Sequence, residues 1–195
     1  MKVSVIVPNN GRDLTNLKKS VENSTYKDIE LIIVDEGYER SKQRNIGYER
    51  STGEYLLFLD SDMTVHPKFI QDCIEASEYY DGLYFDEIIV NHPIKTKFRN
   101  CYTKTRIDAI RFLKRKYFIP FDENITGFED WSFDRMFKGR KGYGTYPIYH
   151  HANSDIRKKL FYYTRWLLRY IRKHPDSLLY ELNPFYRLWL ILKHL

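Results

Sequence analysis

The sequence has few cysteines and lacks any long apolar run. None of its 195 residues belongs to a stretch approaching the roughly 20 apolar residues that a membrane-spanning helix requires. The apolar residues 3–7 are too few for a signal peptide and end at Pro8. Cys73 and Cys101 have no metal-site spacing, so we interpret them as free thiols in a reducing compartment, with a disulfide left open. These features predict a cytoplasmic protein that could associate peripherally with a membrane.

Charge is distributed unevenly along the chain. The sequence has 32 Lys or Arg and 26 Asp or Glu, a net charge of +6. Residues 155–195 contain nine basic and three acidic residues, so this segment carries the whole excess of +6 and residues 1–154 are neutral. We therefore predict two units, a folded domain of residues 1–154 and a basic amphipathic helical tail of residues 155–195.

Short apolar strands alternate with helical patterns in the first third of the chain. Residues 3–7, 29–34 and 55–59 are short, mainly apolar runs, and Leu14, Leu17 and Val21 recur at helical spacing between the first two. This pattern is typical of a parallel sheet that is covered on both faces. The sequence therefore predicts an α/β fold, with a Rossmann-like, mostly parallel sheet flanked by helices.

Polar residues follow each of these three strands. They are Pro8-Asn9-Asn10, Asp35 and Asp60-Ser61-Asp62. In sheets of this class, ligands bind beyond the carboxyl ends of the strands. We expect the three polar segments to meet in one crevice.

Asp60 and Asp62 are separated by one residue, which puts both side chains on one face of an extended backbone. Carboxylates held that close repel each other unless a cation lies between them. From these residues alone, a solvated turn and a site for Mg²⁺ or Mn²⁺ both stay open. A neutral imidazole from His150, or alternatively from His151, could complete the metal shell.

Two further segments have both a structural and a functional interpretation. In "GFEDW", Asp130 can cap a helix, or it can act as a general base. In the second case, Glu129 would either orient Asp130 or contact the acceptor. Arg44, in "KQRNIG", can belong to a polar helix face or can contact a nucleotide base or its phosphates.

In chain order, these segments resemble the family 2 glycosyltransferases, which bind nucleotide sugars on a GT-A fold. The resembling stretches are "VSVIVPNNGRDLTNLKKSVENSTYKDIELIIVDEG", "QRNIGYERSTGEYLLFLDSDMTVHPKFI" and "FIPFDENITGFEDWSFDRMFKGRKGYGTYPIYHHANS". The resemblance covers roughly residues 1–154. The chain is short for the family and is similar in this respect to compact members that occur in archaea and their viruses.

The resemblance implies a role for each candidate residue. The residues implied in nucleotide-sugar binding are Pro8, Asn9, Asp35, Arg44, Asp60 and Ser61, with Asp35 and Arg44 as polar contacts of the base. Asp60 would face the ribose or the metal, Asp62 would hold the Mn²⁺ or Mg²⁺ ion that bridges the diphosphate, and His150 matches a position that sometimes ligates it. Asp130 would be the catalytic base, assisted by Glu129.

Two segments depart from the family pattern. Asn9-Asn10-Gly11 stands where Thr-Tyr-Asn is usual, and Asp35-Glu36-Gly37-Tyr38 stands where Asp-Asp-Gly-Ser is usual. These departures leave the donor base, UDP or GDP, undecided.

The function that we predict is metal-dependent, inverting transfer of a sugar from a nucleoside-diphosphate sugar to an acceptor hydroxyl on a glycan, a protein or a lipid-linked molecule. One alternative is a sugar nucleotidyltransferase, which would normally carry a Gly-rich phosphate loop that "PNNGRD" does not resemble. Another is a non-catalytic membrane or nucleic-acid binding module on the same fold.

The tail is amphipathic over residues 155–173 and is followed by His174-Pro175, which should end the helix. Its apolar face can pack on the domain or on a second copy of the chain in a homodimer. Alternatively the tail can lie on an anionic membrane, with Trp166 and Trp189 at the interface. The tail has no known nucleic-acid-binding motif, so we expect no nucleic-acid partner.

Overall fold

The computed structural model describes residues 1–93, 95–96, 100, 109–125, 127–151, 166–179 and 185. Cys101, Trp189 and residues 155–165 of the predicted tail lie outside these ranges. The strands are β1 (Val3–Pro8), β2 (Ile29–Val34), β3 (Tyr55–Phe58), β4 (Met63–Val65), β5 (Gly82–Tyr84), β6 (Glu87–Ile89), β7 (Phe112–Lys114), β8 (Lys141–Tyr143) and β9 (Ile148–His150). The helices are α1 (Thr15–Glu22), α2 (Arg40–Arg50), α3 (Phe69–Ala76) and α4 (Glu129–Met136), with 3₁₀ turns at Arg115–Tyr117 and Pro175–Leu178.

The central sheet has the strand order β2-β1-β3-β7-β5-β8. β1 pairs in parallel with both β2 and β3, and β5 pairs in parallel with β8. β7 is antiparallel to both of its neighbours. The predicted fold class, a mostly parallel sheet flanked by helices, is confirmed.

Both faces of this sheet are covered, because β1 is buried along its whole length. Val5 and Val7 pack into the core cluster that contains Leu17 of α1 and Phe69 of α3. Ile6 faces the other way and belongs to a second cluster, which contains Phe133 of α4. The alternation of side chains along an extended strand therefore supplies two separate cores.

Helix α2 lies close to β1 because residue 47 is a glycine. A Cβ atom at Gly47 would come within 2.3 Å of Ile6 Cγ2, closer than any real carbon–carbon contact allows. This close approach places the buried side of α2, including Arg44, directly over the sheet.

Two runs that the sequence pattern predicts as single strands are each divided between two sheets. The run of residues 82–91 forms β5 in the central sheet and β6 in a second sheet, and residues 142–151 contribute to β8 and β9 in the same way. The second sheet has the order β4-β9-β6. Polar or small residues, Asp86 and Gly144-Thr145, interrupt the runs at the crossings, where the backbone N–H of Ile148 donates to the Asp86 carbonyl (2.9 Å).

Residues 166–173 are helical, and we call them the C-terminal helix. The helix ends before His174-Pro175, as the sequence predicts. Trp166 and Tyr170 are buried, so the described part of the tail packs against the domain. Within the described residues, no helix combines the length and apolar character needed to span a membrane.

Candidate active site

Asp60 lies just beyond the carboxyl end of β3 and is bound by two arginines. Arg44 Nη2 is 3.0 Å from its Oδ1, and Arg111 Nη1 is 3.3 Å from its Oδ2. Burial alone would raise the pKa of Asp60, but the charges of Arg111 and Arg44 outweigh burial and hold the pKa far below its usual range. Asp60 is therefore an ionised carboxylate that is neutralised by protein cations.

Arg44 joins two acidic segments that are distant in sequence, the Asp60-Ser61-Asp62 turn and the Glu129-Asp130 pair. Its Nη1 donates to Asp130 Oδ1 at 2.6 Å and lies 3.4 Å from Glu129 Oε1, while its Nη2 reaches Asp60. The guanidinium also lies 5.1 Å from the centre of the Phe121 ring. Arg44 is fully buried, which is tolerable for a charged side chain only because its partners are carboxylates.

Asp62 and His150 are brought together by the second sheet. β4 and β9 pair with Met63 opposite His150, which places the imidazole next to the Asp60-Ser61-Asp62 turn. His150 Nε2 is 3.2 Å from Asp62 Oδ1, and His150 Nδ1 is 3.5 Å from Glu87 Oε2. Arg12 Nη1 bonds the second oxygen of Asp62.

The contacts of His150 determine its protonation. Burial would lower the pKa of His150, but hydrogen bonds to Asp62 and Glu87 and their charges raise it to about 9. For the carboxyl group of Asp62, burial would raise the pKa, but the opposing contacts, chiefly the hydrogen bond from His150, outweigh burial and lower the pKa below its usual value. The side chain of His151 has another partner: its Nε2 lies 3.0 Å from Thr64 Oγ1, and only its backbone N–H reaches Asp62, donating to the carbonyl at 2.8 Å.

The loops after β1 and β2 also meet, as the sequence predicts. Asn9 Nδ2 donates to Asp35 Oδ1 at 2.8 Å, and Gln43 Nε2 donates to the Asn9 carbonyl at 2.8 Å. Pro8 is the last residue of β1. The structure thus places Pro8, Asn9 and Asp35 at one edge of the sheet.

Asp60, Asp62 and His150 do not form a single cluster of ligands. Across the part of the chain that the structure describes, no three His, Cys, Asp or Glu side chains are grouped so that they could hold a metal ion. Both oxygens of Asp60 lie within 3.3 Å of arginine nitrogens. Ser61 is half-buried in the turn between the two aspartates.

Sequence reasoning missed three residues of this site: Arg12, Glu87 and Arg111. Arg111 links Asp60 to Glu87, with its Nη2 at 3.3 Å from Glu87 Oε1. A glutamate inside the apolar run "LYFDEIIV" was a usable signal, because a buried carboxylate in a strand needs a partner. Arg111 stands within a basic stretch, and Arg12 in a turn, so neither was distinguishable by pattern.

Comparison with known proteins identifies the family. The profile described as Glycosyl transferase family 2 matches residues 36–162. A curated relative, poly(ribitol-phosphate) beta-N-acetylglucosaminyltransferase TarP of Staphylococcus aureus (strain N315), is 37% identical over 36% of this chain. The matching region is 31% of the length of TarP.

Solved structures of S. aureus TarS share the fold. One TarS structure matches with a TM-score of 0.62 and 18% identity, covering 93% of this chain and 42% of TarS. TarS 1-349 in complex with UDP gives a TM-score of 0.61 and 18% identity, covering 91% of this chain and 75% of that one. TarS 1-349 in complex with UDP-GlcNAc also matches with a TM-score of 0.61, at 16% identity, over 80% of this chain and 60% of that one.

The profile match spans most of the chain, and it includes the segments that carry Arg44, the Asp60-Ser61-Asp62 turn, Asp130 and His150. The TarS structures have the GT-A fold, and their similarity covers nearly all of this chain. The chain therefore belongs to glycosyl transferase family 2 and has the GT-A fold.

Proposed function

We propose that this chain is the catalytic part of a glycosyltransferase, which moves a sugar from a nucleoside diphosphate to an acceptor hydroxyl. One observation carries the proposal: the Arg44 guanidinium is bonded to Asp60 on one side and to Asp130 on the other. Sugar transfer needs a group that manages the leaving diphosphate and a group that activates the acceptor. The bridge holds the turn that carries Asp62 and the carboxylate of Asp130 around one cation, so a candidate metal ligand and a candidate base lie at one site.

The donor nucleotide would lie at the edge of the sheet where β1 and β2 end. Asn9 and Asp35 meet there, and this is the position at which sheets of this class bind ligands. TarS has been crystallised with UDP and with UDP-GlcNAc, so UDP is the donor nucleotide that we propose first. GDP remains the alternative, since the loops after β1 and β2 depart from the usual family sequence.

Asp62 and His150 fit a divalent cation. A metal-ligating histidine commonly has its second ring nitrogen next to a carboxylate, which is the relationship between His150 Nδ1 and Glu87. Mg²⁺ and related ions are commonly held by one or two protein side chains together with substrate phosphates, so a preformed group of three ligands is not needed. We propose Asp62 and His150 as the ligands, with His150 giving up its extra proton when the cation binds and Asp60 fixing the turn through its arginines. When bound, Mn²⁺ or Mg²⁺ supplies positive charge for the leaving diphosphate.

Asp130 is the base in this proposal. Its Oδ1 accepts the hydrogen bond from Arg44, which fixes the direction of the carboxylate. Among the described residues Oδ2 has no hydrogen-bond partner, and the side chain is 26% exposed. Oδ2 is therefore available to take the proton of an acceptor hydroxyl.

This assignment predicts inversion at the sugar carbon. The acceptor oxygen would attack from the side of Asp130 while the diphosphate departs from the opposite side, through a transition state with oxocarbenium character. The bond to the acceptor forms as the bond to the diphosphate breaks, and the acceptor proton passes to Asp130. One displacement of this kind reverses the anomeric configuration.

Thermal unfolding with nucleotides tests the donor side directly. UDP, GDP and their common sugar conjugates would be added with and without Mn²⁺, because a ligand that binds only the folded state raises its stability. We expect a metal-dependent rise in the unfolding temperature with UDP. The absence of any shift in a well-folded sample would contradict the proposal and favour a non-catalytic binding role.

A further inference from the structure

The C-terminal helix packs on α4, the helix that carries Asp130. Tyr170 is fully buried, and its ring centre lies 5.4 Å from that of Phe128 in a stacked arrangement. The Tyr170 ring also meets Trp131 edge-on at 6.0 Å. Phe128 and Trp131 immediately flank the Glu129-Asp130 pair in sequence. Tyr170 therefore contacts the residues before and after the pair that contains the candidate base.

Polar contacts strengthen the attachment along α4. His174 Nε2 lies 3.0 Å from Ser132 Oγ, and Asp176 forms an ion pair with Arg135. Both partners belong to α4, two and five residues beyond Asp130. The segment that follows the C-terminal helix therefore extends the contact toward the carboxyl end of α4.

The same helix holds the segment on the other side of Arg44. Lys173 Nζ lies 2.7 Å from Asp122 Oδ2, and Arg169 Nη1 donates to the Asn124 carbonyl at 3.5 Å. The neighbouring Phe121 supplies the ring that lies over the Arg44 guanidinium. The C-terminal helix thus contacts two separate supports of the Arg44–Asp130 pair.

Helix α4 depends on packing against other elements because it is short. It has only eight residues, and its N-cap residue, Phe128, makes no side-chain capping hydrogen bond. Gly127, directly before the N-cap, has a φ of +104°. Helices this short gain most of their stability from packing against other elements.

We propose that Tyr170 is a positioning residue, which holds the first turn of α4, and with it Asp130, in the geometry used for transfer. Lys173 has the same effect on Phe121 and Arg44. The C-terminal helix then supports the side of the site where the acceptor would bind. The consequence for transfer rests on the function proposed above, whereas the effect on α4 does not depend on it.

Hydrogen–deuterium exchange of the full chain tests the effect on α4 without any activity assay. Tyr170→Ala should speed amide exchange within residues 129–136 by about tenfold or more, since packing on α4 is lost. Tyr170→Phe keeps the ring and should exchange like wild type. Leu168→Ala is the matched control, because Leu168 is on the same helix and is 61% exposed. Unchanged exchange in Tyr170→Ala, or equal acceleration in Leu168→Ala, would overturn the proposal.

Kinetics separate positioning from donor binding. Tyr170→Ala should lower kcat by about ten- to a hundredfold, as small displacements of catalytic groups do, and leave the KM for the donor unchanged. Faster exchange in α4 with an unchanged kcat would overturn the catalytic role. If wild type transfers no sugar from any donor, the proposed function fails, and the exchange experiment still decides whether Tyr170 holds α4.

A second variant covers the case in which Tyr170→Ala does not fold. Lys173→Met removes the ion pair with Asp122 and should speed exchange within residues 121–125 and lower kcat. Arg172→Met is its control, because Arg172 is exposed on the same helix and its substitution removes the same charge. Equal behaviour of the Lys173 and Arg172 variants would contradict the role of Lys173.

Discussion

The Arg44 guanidinium donates to Asp130 Oδ1 at 2.6 Å across 86 positions of sequence, and its other terminal nitrogen reaches Asp60. One buried cation thus connects the turn after β3 with the first turn of α4. This relationship determines the geometry of the candidate site, and it makes Arg44 the residue whose replacement should have the widest effects.

Replacing Arg44 with methionine should destabilise the fold by about 3 kcal/mol, because Asp60 keeps only Arg111, Glu129 keeps only Arg40, and Asp130 loses its arginine partner. Chemical denaturation followed by circular dichroism measures this change. Arg50→Met on the same helix is the control: Arg50 pairs with the exposed Glu36, and surface pairs contribute only about 0–1 kcal/mol. Equal losses in both variants would contradict the structural importance of the Arg44 bridge.

Asp130→Asn should reduce sugar transfer by about a hundredfold or more while the donor still binds, because an amide oxygen can accept from Arg44 but cannot take a proton. Calorimetric titration with UDP and Mn²⁺ measures binding, and product formation measures transfer. Full turnover by this variant would show that another group acts as the base.

Glu87→Gln should weaken Mn²⁺ binding in the presence of UDP by about ten- to a hundredfold, because the carboxylate next to His150 Nδ1 orients the proposed ligand. Metal titration by electron paramagnetic resonance measures the affinity. Glu75→Gln is a suitable control, since Glu75 is exposed and bonds Gln71 on α3. An unaltered affinity in Glu87→Gln would remove Glu87 from the metal site.

Glu30 should make the protein sensitive to acid. Burial would raise its pKa, but hydrogen bonds from Ser4, Lys2 and the Thr52 backbone lower the pKa of Glu30 from 4.5 to about 2. Because the folded state depresses this pKa, the stabilisation is complete above pH 4.5 and is lost as pH falls toward 2.

Unfolding free energies measured between pH 6 and pH 2 test this sign. Wild type should lose stability through that interval, whereas Glu30→Gln should be less stable at pH 6 and should lose less on acidification. A steeper acid response in the variant than in wild type would contradict the assignment.

Gly47→Ala should destabilise the protein by about 1–3 kcal/mol through overpacking against Ile6, although alanine is the better helix former. The double variant with Ile6→Ala, which removes the clashing Cγ2 atom, should be more stable than the sum of the two single changes predicts. Strict additivity in denaturant titrations would show that α2 shifts away instead.

The sequence predicted the features that depend on local pattern. The first three strands and the meeting of polar residues beyond their carboxyl ends follow from apolar runs that end in polar residues. The division of residues 82–91 and 142–151 between two sheets was not predictable, because the polar or small residues at the crossings, Asp86 and Gly144-Thr145, do not distinguish the end of a strand from a bulge or a bend within one strand. Pairing partners are decided by tertiary packing, and a run of apolar residues does not specify them.

In the candidate site, too, the sequence predicted the residues that follow the first three strands but not those placed by later strands. Asp35 and Asn9 meet as expected, and of the His150-His151 pair the favoured residue lies next to Asp62. Arg111 was invisible because its position depends on β7, the antiparallel strand. Because β7 is antiparallel to β3, it begins at the edge of the sheet where β3 ends, and Arg111, just before β7, therefore lies next to Asp60.

The burial of Arg44 also has a consequence for how the chain unfolds. If α4 separated from the sheet while the rest stayed folded, Arg44 would lose Glu129 and Asp130, and its remaining carboxylate partner among the described residues would be Asp60, which it shares with Arg111. Such an intermediate would carry a poorly compensated charge. The two halves of the domain should therefore unfold together, in one cooperative transition.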